Sequence, residues 1–170
     1  MRKAVFFDRD GVLNVDKGYL SRIDDFQWIP GAKEALAMLT QQGYMIIVVT
    51  NQSGVARGYY TEDDVQTLHT WMCQDAALSG GVITAVYYCP YLDGAPVKAY
   101  DKKSNWRKPA PGMVLQAMND YDIDASQSFM IGDMPRDVEC GERAGIQGYL
   151  FQGGRLDVFI RHIIEERKTS

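Results

Sequence analysis

The sequence predicts an α/β fold: a doubly wound, Rossmann-like parallel sheet of about five or more strands, with helices on both faces and no separate cap domain. Three observations predict it. Short apolar runs recur along the chain, longer segments of helical period separate them, and acidic, hydroxyl and basic side chains gather where the runs end. With 170 residues, 46% of them hydrophobic, the chain can bury one sizeable core, so residues 1–170 read as a single domain.

Residues 4–7, 45–49, 85–88, 129–131 and 148–151 are brief, apolar and rich in Val, Ile, Phe or Tyr, as strands buried on both faces tend to be. Between them, a first helix over 32–42 is closed by Gly43. A second, over 62–78, opens at Thr61 with Asp64 three residues on, a start like a capping box. A third, over 111–121, begins on proline, and a fourth, over 135–144, stops at Gly145. The last, over 156–167, puts Leu156, Phe159, Ile160, Ile163 and Ile164 on one stripe, which describes a surface helix lying on the sheet. The loops over 11–31 and 89–109 exceed ordinary lengths, which marks them as functional or disordered; neither could form a cap domain.

Composition excludes several partners. The 18 basic and 22 acidic side chains leave a net charge of −4, the wrong balance for a nucleic-acid partner. No apolar run approaches the roughly 18–20 residues that cross a bilayer, so no membrane partner is expected. The first seven residues imitate a signal peptide until Asp8, Arg9 and Asp10 interrupt it, and the expected location is cytoplasmic. Cys73, Cys89 and Cys140 are odd in number and widely spaced, which suits reduced thiols. A monomer is expected.

In such a sheet, ligands bind at the carboxyl ends of the strands, so the residues following each run are the candidates. Asp8 and Asp10 follow the first run. Two carboxylates at i and i+2 beside a buried strand are costly to crowd unless a cation lies among them, and Mg²⁺ is a hard ion that takes oxygen ligands. Read alone, the pair is equally two solvated turn acids. Thr50, Asn51, Gln52 and Ser53 after the second run offer neutral donors to an anion, or form an ordinary polar turn. Arg107 and Lys108, before the third helix, can neutralise phosphoryl groups, or are a solvated basic pair. Asp133 follows the fourth run as Asp8 follows the first, while Asp137 sits in a helix start, where negative charge is favoured in any case. Together, these types occur in order after four strands of one sheet, which coincidence explains poorly.

Asp8-x-Asp10-Gly11-Val12, Thr50-Asn51, Lys108-Pro109 and Gly132-Asp133-x3-Asp137 resemble, in order, the four motifs of the haloacid dehalogenase superfamily of phosphohydrolases. The longer runs Phe7 to Gly11, Asn14 to Tyr19, Val49 to Gly58, Tyr87 to Pro90 and Arg107 to Met113 are similar to its histidinol-phosphatase-like branch. The resemblance implies a Mg²⁺-dependent phosphomonoester hydrolase in which Asp8 is the nucleophile and forms an aspartyl-phosphate, and Asp10 is the general acid and base. It implies a metal held by Asp8, Asp133 and the Asp10 backbone carbonyl, phosphoryl oxygens bound by Thr50 and Lys108, and support from Asp137. Asp16, Gly18, Tyr19, Asn51, Gln52, Ser53, Arg57 and Arg107 become the substrate-binding candidates. The implied substrate is a small sugar phosphate or bisphosphate, with histidinol phosphate as the alternative. A non-catalytic phospho-ligand or signalling domain is the reading from another class. Against it, receiver domains carry their phosphorylated aspartate after a middle strand, whereas the acid pair here follows the first.

One departure from the branch stands out. Its members often hold zinc in the third-strand loop through Cys-x-His and Cys-x-Cys. Here Cys89 remains, but Tyr91, Ser104 and Trp106 fill the other positions. One thiolate cannot make a four-ligand site. Structural zinc is therefore expected to be absent, with Cys89 partly buried and Tyr91 or Trp106 packing the loop.

Overall fold

The apolar runs pair side by side. A computed structural model describes residues 1–169, in which β1 (Ala4–Phe7), β2 (Met45–Asn51), β3 (Ala85–Cys89), β4 (Phe129–Gly132) and β5 (Gln147–Leu150) form one sheet in the order β3-β2-β1-β4-β5. Every pairing is parallel. The helices are α1 (Ala32–Gln41), α2 (Glu62–Leu78), α3 (Gly112–Tyr121), α4 (Pro135–Arg143) and α5 (Leu156–Lys168). Helix ends fall within a residue of the expected positions. The 3₁₀ turns at Ile23–Asp25, Lys98–Tyr100 and Ala125–Gln127 carry no apolar period, and the sequence did not announce them.

Successive strand side chains point to opposite faces, which divides the core in two. Val5, Phe7, Ile46, Val48, Phe129 and Ile131 pack against α1, α2 and α5; Ala4, Phe6, Ile47, Val49 and Met130 pack against α3 and α4. Each fully buried Phe, Ile or Leu contributes about 1.5–3 kcal/mol. The α5 stripe behaves as its spacing requires, with Leu156, Ile160, Ile163 and Ile164 all buried. Burial on both faces holds for β1, β2 and β4 but not for β3 and β5, whose residues are mostly half-exposed. Those two are the edges, each with a strand on one side only.

The start of α2 is a full capping box: Thr61 Oγ1 accepts from Asp64 N at 3.1 Å, and Asp64 Oδ2 accepts from Thr61 N at 2.8 Å. The next residue ties the long third loop down. Glu62 accepts from the Tyr88 hydroxyl and from the Tyr100 hydroxyl, each at 2.8 Å. Tyr91 and Trp106 pack against the second core cluster, and Trp106 meets the Tyr87 ring edge-on at 5.9 Å. Cys89 lies fully, not partly, buried within that cluster, since the loop folds back over the end of β3.

The chain moves from β1 outward to β2 and β3, then returns to the other flank of β1 as β4. That reversal opens a crevice at the carboxyl ends of β1 and β4, where a ligand can enter. No helix among the described residues is long and apolar enough to cross a membrane.

Candidate active site

At the end of β1 the backbone turns sharply through Gly11, whose φ of +88° favours glycine, and a Cβ there would collide with the Asp133 carboxylate. Gly132 is restricted likewise, because a Cβ would strike the side chain of Asp137. These two glycines let the ends of β1 and β4 bring their acids together. Ligand oxygens of Asp8, Asp133 and Asp137 lie within 4.8 Å of one another.

One cation is buried among them. Lys108 Nζ stands 2.8 Å from Asp8 Oδ1 and 2.8 Å from Asp137 Oδ1, and donates to Val49 O at 2.8 Å. The Asn51 amide clamps the Lys108 backbone, accepting from its N–H at 3.0 Å and donating to its carbonyl at 3.2 Å. Burial would lower the lysine's pKa, but Asp8 and Asp137 together raise it, so the ammonium persists. Asp8 Oδ1 also accepts from Arg9 N at 2.9 Å. Burial, with Asp137 and Asp10 nearby, pushes Asp8 up to about 7 despite Lys108, and burial also raises Asp133. Three carboxylates against one ammonium leave a cluster short of positive charge and supplied with oxygen donors. That donor set fits a hard divalent cation.

Asp10 differs from its neighbour. Its Oδ1 accepts from Arg9 Nη2 at 2.9 Å and Asn14 Nδ2 at 3.0 Å, and its Oδ2 from Gln52 Nε2 at 3.2 Å. Burial would raise its pKa, but the Arg9 guanidinium and these donors outweigh burial and hold it below the usual carboxylate range. Two acids two residues apart are therefore driven in opposite directions by their surroundings.

Above them opens a cleft of about 320 Å³, walled by Asp8, Asp10, Lys108 and Asp133 and by the expected Asp16, Gly18, Tyr19, Asn51, Gln52, Ser53, Arg57 and Arg107. Thr50 and Asp137 do not line it. Thr50 is 1% exposed, and its hydroxyl accepts from Gln52 Nε2 at 3.0 Å, one layer behind the wall. Asp137 is fully buried beneath Lys108. Asn51 reaches the cleft, but its amide is occupied by the Lys108 backbone.

The cleft also contains Tyr60, Met134 and Arg136, which sequence reasoning missed. Tyr60 donates to Gln52 Oε1 at 2.6 Å and so orients the amide that faces Asp10. Arg136 precedes Asp137 in the fourth motif, and its placement in the first turn of α4 is the signal that could have found it. Burial, then Arg136 and Arg57, lower the pKa of Arg107, whose Nη1 is buried with no hydrogen-bond partner. Three arginines around one opening, one of them unsatisfied, make an anion-receiving rim.

Comparison with known proteins identifies a family and relatives of the chain. Residues 5–93 match the family model described as haloacid dehalogenase-like hydrolase, and residues 105–159 match a HAD-hydrolase-like model. The chain is 41% identical over 169 residues to a D-glycero-beta-D-manno-heptose-1,7-bisphosphate 7-phosphatase of Rhodopseudomonas palustris, covering 99% of this chain and 94% of that protein. It is 46% identical over 149 residues to the Haemophilus ducreyi protein of the same name, covering 86% and 80%. Among solved structures, the D,D-heptose 1,7-bisphosphate phosphatase of B. bronchiseptica, complexed with magnesium and phosphate, superimposes with a TM-score of 0.83 at 30% identity, covering 96% of this chain and 99% of that one.

Proposed function

The chain belongs to the haloacid dehalogenase-like hydrolases, and from that premise we propose that it is a Mg²⁺-dependent phosphatase that removes the 7-phosphate of D-glycero-D-manno-heptose 1,7-bisphosphate. One observation carries the reading: the Asp8–Lys108–Asp133 floor, with Asp8 and Lys108 buried and Asp133 half-buried, lies in the same cleft as the three-arginine rim, so that one cleft offers places for two phosphoryl groups.

Lys108 and the Arg9 N–H both occupy Asp8 Oδ1, so the other carboxylate oxygen is the one presented to phosphorus. Its attack forms the P–O bond of an aspartyl-phosphate as the sugar oxygen leaves. Asp10 gives that oxygen a proton and later takes one from the water that cleaves the intermediate. An incoming phosphate dianion raises the pKa of Asp10, which brings the proton to the right place for the first step. Lys108 acts on the phosphoryl group as a fixed positive charge, its three donors being already engaged by Asp8, Asp137 and Val49 O. Thr50 joins by exchanging its Gln52 partner for a phosphoryl oxygen. Asp8, Asp133 and the Asp10 carbonyl would hold Mg²⁺, which when bound would favour the ionised form of Asp8 and offset charge on the transferred group.

At the rim, Arg57, Arg107 and Arg136 receive the phosphate that is kept, and Asp16 and Tyr19 contact the sugar between them. A cationic substrate such as histidinol phosphate meets like charge there. The test is phosphate release, with Mg²⁺ or with chelator, from heptose 1,7-bisphosphate, fructose 1,6-bisphosphate and histidinol phosphate. The highest kcat/KM is expected on the heptose bisphosphate; a preference for histidinol phosphate would overturn the substrate assignment.

A further inference from the structure

Arg9 is the largest side chain fully buried in the protein, an arginine with no exposed surface between the end of β1 and α2. Its Nη2 donates to Asp10 Oδ1 at 2.9 Å and to Leu20 O at 3.2 Å, and its Nη1 lies 3.0 Å from His69 Nε2. Its Nε has no partner. An arginine only donates, so His69 Nε2 must accept and the imidazole must carry its proton on Nδ1. His69 is buried and outside the cleft; it is the neutral member of an otherwise charged chain of contacts leading to Asp10.

We propose that His69 is a positioning residue for Asp10: by accepting from Arg9 Nη1 it fixes the guanidinium whose Nη2 sets the Asp10 carboxyl against the leaving oxygen. The inference rests on the reading of Asp10 as acid and base. Burial, then the charge of Arg9, push His69 down to about 3, so the acceptor stays available throughout the working range. Without it, a buried guanidinium has one orphan nitrogen at Nε and a second at Nη1. The guanidinium then has one restraint fewer against tilting toward Leu20 O and drawing Nη2 off Asp10. An acid displaced by a fraction of an ångström still binds substrate but delivers its proton poorly.

The experiment uses leaving groups that differ in their need for a proton. A sugar alkoxide must be protonated as it departs; p-nitrophenolate need not be. A general acid is worth about 10²–10⁴-fold, and one that is loosened but present should lose about tenfold. His69→Leu is therefore expected to lower kcat/KM on a sugar phosphate about tenfold while p-nitrophenyl phosphate changes less than about twofold. His69→Gln, whose side-chain oxygen can accept from Nη1, restores the sugar phosphate. Parallel losses on both substrates, no loss on either, or a glutamine as poor as leucine would each overturn the proposal. Should His69→Leu not fold, ¹⁵N NMR of the unaltered protein decides: the Nδ1–H neutral tautomer at neutral pH supports it, and an Nε2–H or imidazolium form refutes it. Asp10→Asn separates the two layers. If that variant keeps full sugar-phosphate turnover, the reading of Asp10 fails; if it loses turnover while His69→Leu does not, only the role of His69 fails.

Discussion

A single buried ammonium, Lys108 Nζ, stands 2.8 Å from carboxylates on both sides of the crossing point of the sheet: Asp8 after β1 and Asp137 inside α4. The lysine is the tie that makes the acid cluster tolerable. Breaking a buried pair by removing one partner costs about 3–5 kcal/mol, because it leaves an uncompensated charge. Lys108→Met is accordingly expected to lose activity and to unfold at lower temperature, with added Mg²⁺ recovering part of the loss. Thermal unfolding with and without the ion checks this.

The same crowding gives the metal-free protein a pH dependence of definite sign. Asp8 ordinarily titrates near 3.8 and is pushed up to about 7 on folding, so the folded state keeps a proton that the unfolded chain has lost. Stability without metal falls as pH rises from about 4 to about 7. The stabilisation conferred by Mg²⁺ should grow between pH 5 and pH 8, measured as the difference in Tm with the ion and with chelator. Asp8→Asn is expected to flatten that difference and to cut turnover by about 10⁴-fold or more, with the fold intact. A variant close to wild type in activity would remove Asp8 as nucleophile.

At the rim, charge-assisted contacts to a phosphate are worth about 1.5–3 kcal/mol, or roughly 10–150-fold. Arg107→Ala and Arg136→Ala should each lower kcat/KM on a sugar bisphosphate by about tenfold or more. Hydrolysis of p-nitrophenyl phosphate, which has no second phosphate, should hold within about twofold. Equal losses on both substrates would place these arginines outside substrate recognition.

The third loop gives a prediction about stability. Glu62 accepts two phenolic hydrogen bonds, and its contact is the main reason the Tyr100 hydroxyl is pushed up to about 12. Glu62→Ala should loosen residues 89–107, seen as faster amide exchange confined to that segment, and bring the Tyr100 titration back toward 10. Metal analysis of the purified protein should find no stoichiometric zinc. Chelator should leave amide exchange in the loop unchanged.

Much of this could be read from the sequence, for reasons particular residues make plain. Phe7-Asp8 and Gly132-Asp133 each join an apolar run to an acid, and a strand buried on both faces can end only one way, with its polar residue at the rim. The capping box at Thr61 and Asp64 is local, and it formed as its spacing required. His69 and Tyr60 were illegible because their roles arise from distance: Nε2 of one meets residue 9, and the hydroxyl of the other meets residue 52. A histidine on a helix face announces no partner. The contact between Gln52 and the Thr50 hydroxyl was equally illegible, since nothing local says that Gln52 would fold back to engage it. The edges were misjudged for a similar reason: Val86 and Tyr149 look like interior residues until the strand order is known.

That strand order also sets a timetable. The two partners of β1 join far apart in the chain, through Ala4↔Met45 on one flank and Val5↔Phe129 on the other. During synthesis the β3-β2-β1 half can assemble while the far flank of β1 still lacks its neighbour, an exposed edge of the kind to which foreign strands add. In chain order, three helices and three strands separate Asp8 from Asp133. A chain interrupted before β4 thus carries Asp8 without Asp133, and such a truncated product is expected to be inert toward phosphate esters.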